Sequence, residues 1–386
     1  MRTLLVALLI ALALALAPLA DARPPATAAA QSPACAQCND RGMIACKLCS
    51  TKVCKSEKGF LHCSFALQCG DCGGTRWREC TFCEHAPEID LRLERNKLEA
   101  WRATRDAIDE HMGRKDMLHL ESARFALVYD VPRSVVKGVN STHEAAHVVL
   151  DRLETIHAEF LVDTGATPAE LGAPTQVMLW GSEKDQEEAS SKWTLERTST
   201  IAKLMGKAPV LSICFGKGNV RNEADLEHAL AHQVAHCELS NLHQGLWLGG
   251  KKSGWIDEGY AHLVEIRRTG SVEHWCSITD EAAGKLKLGR FEAEVLARTH
   301  DGKVTELAAM SGKDTVALSP EQRLFGWSYV DFLTRTHPGK LALVVKFLQQ
   351  DKPTSEAIQL GVNRSIDDFQ RDWVTWVKAT YTSKKR

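Results

Sequence analysis

Two histidines four residues apart, His232 and His236, lie in the run Leu226-Glu-His228-Ala-Leu-Ala-His232-Gln233-Val-Ala-His236. On a helix, positions i and i+4 share a face one turn apart, so two imidazoles at this spacing can grip one zinc ion. A second segment, Trp255-Ile-Asp-Glu258-Gly-Tyr-Ala-His262-Leu-Val-Glu265, follows with 21 residues between His236 and Glu258. It reads as a second helix whose Glu258 approaches the same ion. Three protein ligands leave a fourth position for water, the layout of a catalytic rather than a structural zinc. A histidine pair alone often only decorates a helix; the second segment at this distance makes it a candidate site.

The cysteines form another pattern. Ten of the 13 lie between Cys35 and Cys83, eight of them as Cys35-x-x-Cys38, Cys46-x-x-Cys49, Cys69-x-x-Cys72 and Cys80-x-x-Cys83. A Cys-x-x-Cys turn aims two thiolates at one tetrahedral point, and two turns complete a four-thiolate zinc site, so four pairs make two sites. Large apolar residues are too few here for a core, and metal has to supply the folding energy. Lys47, Lys52, Lys55, Lys58, Arg76 and Arg78 offset the thiolate charge. Disulfides are the alternative in an exported chain. Cys54 and Cys63, outside the pairing pattern, are the better disulfide candidates.

Residues 35–83 resemble the cysteine-rich zinc domain of DnaJ-type co-chaperones, in which the first pair joins the fourth and the second joins the third. Cys69-Gly-Asp-Cys72-Gly-Gly fits that family's repeat, whereas Cys46-Lys-Leu-Cys49-Ser-Thr lacks its glycine, and no J-domain is present. The resemblance implies metal sites and a protein-contacting role, without chaperone activity. Residues of roughly 120–380 resemble the gluzincin, peptidase-MA-like metallopeptidases, with His-Glu-x-x-His followed by Trp-x-x-Glu-Gly-x-Ala. The segments Leu324–Leu333, Lys340–Leu348 and Ile366–Trp373 match that group's usual ending. The resemblance implies zinc on His232, His236 and Glu258, and water-mediated peptide hydrolysis.

The chain departs from that pattern where the family carries its general base, a glutamate; here the residue is Gln233. An amide cannot cycle a proton, and losing a general base forfeits ~10²–10⁴-fold in rate, or roughly 3–5 kcal/mol of barrier. Glu227 and Glu238 are poorly placed substitutes, and Glu265 is a further candidate two turns past Glu258. His228 is expected behind the ligands or facing solvent instead of binding the metal, and His262 stands where related enzymes carry a carboxylate that steadies a ligand. Tyr260 and Tyr329 are candidate oxyanion donors, with core burial as the alternative; Phe325 stands where the group often has a tyrosine. Cys214, Cys237 and Cys276 are expected as buried thiols or to include one disulfide.

Positioning these residues calls for an α+β chain: a small zinc-stabilised, cysteine-rich module, then a mostly helical gluzincin-like domain with a small β-sheet. The expected divisions are a signal peptide at 1–22, a flexible leader at 23–33, the cysteine-rich module at 34–86, a linker helix at 87–120 and the peptidase-like domain at 121–380. Strands are expected at 125–132, 176–179 and 209–215, and helices at 142–162 and after Arg221, with Asn222 as N-cap. Asn140-Ser-Thr is a glycosylation acceptor only in a eukaryotic host.

The 386 residues are 44% apolar and 25% charged, with a net charge of -1, which argues against nucleic-acid binding by counterion release. Arg2, the apolar run 4–17 and Ala20-Asp-Ala22 make a secretory signal, so the mature chain is expected to be secreted or periplasmic, without stable membrane insertion. The expected function is that of a catalytically impaired, zinc-binding metallopeptidase-like protein with a peptide or protein ligand. One zinc belongs to the peptidase-like site and two to the cysteine-rich module. The alternatives are an active peptidase with a relocated base and a non-enzymatic scaffold using the cysteine-rich module. The oligomeric state is not legible.

Overall fold

The computed structural model describes residues 34–47, 60–218, 220–243, 247–250, 252–276 and 290–382. The expected signal peptide and leader, Cys49, Cys54, Lys52, Lys55, Lys58 and the tail Lys384-Lys385-Arg386 lie outside the described residues. The chain divides into two compact units, Met1–Ile44 with Glu79–Glu88, and Ala45–Arg78 with Ile89–Arg386. It crosses between them within β1 (Met43–Ala45) and again within β3 (Trp77–Glu79). This differs from a single module at 34–86. Residues 45–78 group with the large unit, because β2 (Phe60–Cys63) hydrogen-bonds antiparallel to β4 (Leu118–Ser122).

In the small unit the backbone turns back on itself: Cys80 N–H donates to Gly42 O at 2.9 Å, and Glu88 N–H to Arg41 O at 2.8 Å. Gly42 has φ +64°, and a Cβ there would meet Ala86 O at 2.2 Å, so only glycine fits.

The large unit is a six-stranded sheet with helices on both faces. Its order is β2-β4-β5-β6-β8-β7, with β5 (Phe125–Asp130), β6 (Thr175–Trp180), β7 (Ile201–Leu204) and β8 (Val210–Cys214). β5, β6 and β8 run parallel; the flanking pairs are antiparallel. The parallel strands read as near-continuous apolar runs because both faces are covered. Leu127, Tyr129, Val177, Leu179, Leu211 and Ile213 join the main core. Val128, Met178 and Trp180 point the other way into a smaller cluster with Ile108 and Met117, as a two-residue repeat requires. That second face is covered by α1 (Leu91–Met112) and α3 (Glu183–Ala189). α1 falls within the stretch expected at 87–120; it is capped by Asp90, whose side chain accepts from Arg92 N and Leu93 N, and closed by left-handed Gly113.

On the main-core face lies α2 (Thr142–Thr164), with Val149, Leu153, Ile156 and Phe160 buried at helical spacing. Behind it stand α4 (Glu223–Asn241) and α5 (Gly254–Thr269), followed by α6 (Phe291–His300), α7 (Leu307–Met310), α8 (Pro320–Thr336), α9 (Leu341–Gln349), α10 (Thr354–Val362) and α11 (Ile366–Thr380). α4 is capped as expected: Asn222 accepts from Asp225 N. It is buried from Ala229 through Asn241, packed on every side, so its histidines, Gln233 and Glu238 need polar partners within the protein. Strands β4 and β7 were not among the expected elements. No helix among the described residues is long and apolar enough to cross a membrane.

Candidate metal centre

α4 delivers His232 and His236, and α5 delivers Glu258. The two helices pack directly, and the side chains converge: the Nε2 atoms lie 3.2 Å apart, and Glu258 Oε2 is 3.5 Å from His236 Nε2. All three residues are fully buried. A fourth group, unforeseen from the sequence, completes the set. Cys276 Sγ stands 3.5 Å from His232 Nε2 and 3.3 Å from His236 Nε2, and the four candidate ligand atoms all lie within 4.8 Å of one another. Cys276 arrives on the segment after α5 with no motif to announce it, and its own N–H donates to Glu258 Oε1 at 3.2 Å.

The surroundings fit a cation. Glu258 Oε1 accepts from buried Arg323 and from Cys276 N–H, while Oε2 has no hydrogen-bond donor despite complete burial. A carboxylate oxygen left so costs several kcal/mol, on the order of the desolvation penalty of an ion, unless a positive centre faces it. His232 Nδ1 is held from behind by Glu265 Oε2 at 3.0 Å, and His236 Nδ1 lies 3.0 Å from Asp257 Oδ1 without an aligned hydrogen bond. A carboxylate behind a ring sets the orientation in which Nε2 could face a cation. The four candidate ligand atoms are compatible with zinc.

Burial, against the pull of Glu258, holds His232 well below the usual imidazole range, in the lone-pair form a metal takes. His236 goes the other way: burial lowers it, but Asp257 lifts it well above. Burial raises the Glu258 carboxyl, yet His236, Arg323 and the other imidazoles hold it well below the usual carboxylate range.

The base position is spoken for. Gln233 Oε1 accepts from Lys203 Nζ at 2.8 Å, and the same ammonium lies 3.2 Å from Cys276 Sγ. Lys203 comes from β7, the last strand of the sheet. The candidate substitutes are committed elsewhere. Glu227 pairs with Arg268 and Arg152, and Glu238 with Arg124 and His157. Glu265 steadies both His228 and His232 and accepts from the N–H groups of Glu273 and His274; burial lifts it to about 7. Glu265 thus fills the steadying role expected of the His262 position, and His262 faces His274 O instead. The candidate oxyanion donors are engaged away from the ligands, Tyr260 with Asp163 and Tyr329 with Thr305 O and Gln370. Their buried hydroxyls fit the core alternative. Phe325 is fully buried in the main core, packed edge-on against Trp373. Cys237 is fully buried, and burial pushes its thiol up to about 12, which removes it as a nucleophile.

Two further clusters lie in the cysteine-rich stretch, with the first pair meeting the fourth and the second meeting the third. In the small unit, Cys35 Sγ is 3.8 Å from Cys80 Sγ and Cys38 Sγ 3.5 Å from Cys83 Sγ. In the large unit, Cys46 Sγ is 3.6 Å from Cys69 Sγ, with Cys72 completing the described part of that cluster. These separations are far from the ~2.05 Å of a disulfide and near the ~3.8 Å edge of a tetrahedron with Zn–S of about 2.3 Å. No disulfide joins any two described cysteines. N–H groups of Gln37 and Cys38 pull the Cys35 thiol down to about 7, whereas Cys83, despite the N–H of His85, is pushed up to about 12 by burial and the neighbouring thiols. Arg78 pairs with Asp71, which touches Cys46 Sγ, so one of the expected counter-charges acts through a carboxylate.

Compared with protein-family models and with curated proteins, the chain matches none.

Proposed function

We propose that the chain is an exported zinc-binding protein on a gluzincin-like plan, whose centre is closed and does not hydrolyse peptides, and whose ligand is a peptide or protein segment. The observation that carries this reading is Cys276. Its thiol takes the fourth position, where a hydrolytic zinc keeps water, and four protein ligands are the mark of a structural site. Gln233, held by Lys203, supports the same conclusion: the residue beside the ligands accepts a hydrogen bond and has no proton to cycle. A peptide ligand is supported by β7, the terminal described strand, whose outer edge suits an added extended segment and whose Lys203 reaches the centre. The cysteine clusters are then structural zinc sites in a DnaJ-like arrangement.

The test sets the purified protein against a broad peptide library with and without chelator, beside Cys276→Ala, Gln233→Glu and the double variant. The wild type and each single variant are expected to show no chelator-sensitive turnover. The double variant gains it, because it alone has both an open position and a base, the latter worth ~10²–10⁴-fold. Robust wild-type turnover abolished by chelator overturns the reading and restores the active-peptidase alternative.

A further inference from the structure

A second histidine pair at i, i+4 opens α2. Ser141 caps the helix, accepting from Glu144 N–H at 3.1 Å, and so fixes its first turn, where His143 and His147 stand. Facing them is Cys63, the last residue of β2, paired in register with Leu120 of β4 and 1% exposed. Cys63 Sγ is 3.1 Å from His143 Nε2, and His143 Nε2 is 3.0 Å from His147 Nε2. The three atoms lie within 4.8 Å of one another. Phe65 stacks on the His143 ring, with centroids 4.6 Å apart and planes at 23°, which sets its orientation.

Hydrogen bonding alone does not account for this geometry. An imidazole Nε2 carries either one proton or one lone pair, in the ring plane. It therefore makes one well-directed hydrogen bond, yet His143 Nε2 has two polar atoms at 3.0–3.1 Å. A cation between them resolves the conflict, since all three atoms then direct a lone pair at one point. Bond lengths of about 2.3 Å to sulfur and 2.0–2.1 Å to nitrogen place such ligand atoms roughly 3.3–3.6 Å apart, a few tenths of an ångström beyond the 3.0–3.1 Å found. A thiolate with two imidazoles is a borderline-soft donor set that suits zinc.

We infer that Cys63, His143 and His147 form a further zinc site, separate from the other clusters, which staples strand β2 to the start of α2. Within the large unit it joins positions 80 residues apart in the chain, and so fastens the cysteine-bearing segment 45–78 onto the sheet and its covering helix.

The experiment is elemental analysis of zinc per chain on the full-length, exhaustively dialysed protein. Cys63→Ser and His143→Ala/His147→Ala are each expected to lose one zinc per chain against the parent. Combined with His232→Ala/His236→Ala, the losses add, which separates this site from the centre on α4. If the alanine pair fails to fold by circular dichroism, His143→Gln/His147→Gln keeps polarity and size and must show the same loss. Equal zinc in the parent and the folded variants overturns the inference, as does a loss of copper with zinc unchanged.

Discussion

Glu265 grips two imidazoles at once, and its role is the easiest to misread from sequence, where a carboxylate near a zinc motif suggests a base. Behind a ligand histidine it sets ring orientation and basicity, and changing such a partner typically costs 10–100-fold in metal affinity. Glu265→Gln is accordingly expected to weaken zinc at the α4–α5 centre by about that factor, in competition with a chelator of known affinity. Unchanged affinity would remove Glu265 from that role. The candidate ligands His232 and His236 were legible from helical spacing, and Glu258 from the second segment that follows them, and the structure brings the three together. Cys276, Lys203 and Arg323 were not, because each comes from a different part of the chain, a segment after α5, a strand and a later helix, and no local pattern links them. His143 and His147 carried the same spacing as His232 and His236, but their partner, Cys63, lies 80 residues from His143. Sequence distance hid that cluster.

Of the helices around the centre, α4 was readable from its Asn222 cap and histidine spacing and α5 from its motif, and the close approach of α5 to α8 rests on two glycines. A Cβ on Gly259 would meet Gly326 O at 2.6 Å, and one on Gly326 would meet Trp255 O at 2.8 Å, so α5 and α8 cross backbone to backbone. Gly259→Ala is expected to destabilise the protein by roughly 1–3 kcal/mol through overpacking, read as a lower urea midpoint. Because Gly259 adjoins Glu258, zinc content should fall with it; a midpoint within error of wild type would show that the crossing has slack. At the start of α4, Asn222→Ala should cost about 1 kcal/mol in the same titration, through the lost bond from Asp225 N–H, without moving the zinc count. Strands β4 and β7 escaped sequence reading for a common reason. Both lie outside the buried parallel centre of the sheet, where apolar runs are longest. His119 and Lys203 sit within them and break the signal.

With the proposed metal sites filled, the two units would rely on metal to different degrees. Buried apolar side chains of the small unit are few among the described residues, with Cys38, Met43 and Cys80 prominent among them, whereas the large unit has an extensive core on both sheet faces. A site that supplies most of a unit's folding energy takes that unit down when emptied. Strong chelation is therefore expected to expose 34–44 and 79–88 to protease first, while the strands β5, β6 and β8 stay intact, as followed by limited proteolysis and mass spectrometry. Loss of both on the same time course would contradict this. Arg323, wholly buried, grips Glu258 and also donates to Thr315 O at 2.6 Å and Leu318 O at 3.3 Å. The guanidinium is thus anchored by the chain whatever occupies the centre. Were an ion to leave the proposed site, Arg323 would still hold the Glu258 carboxylate in place from its far side.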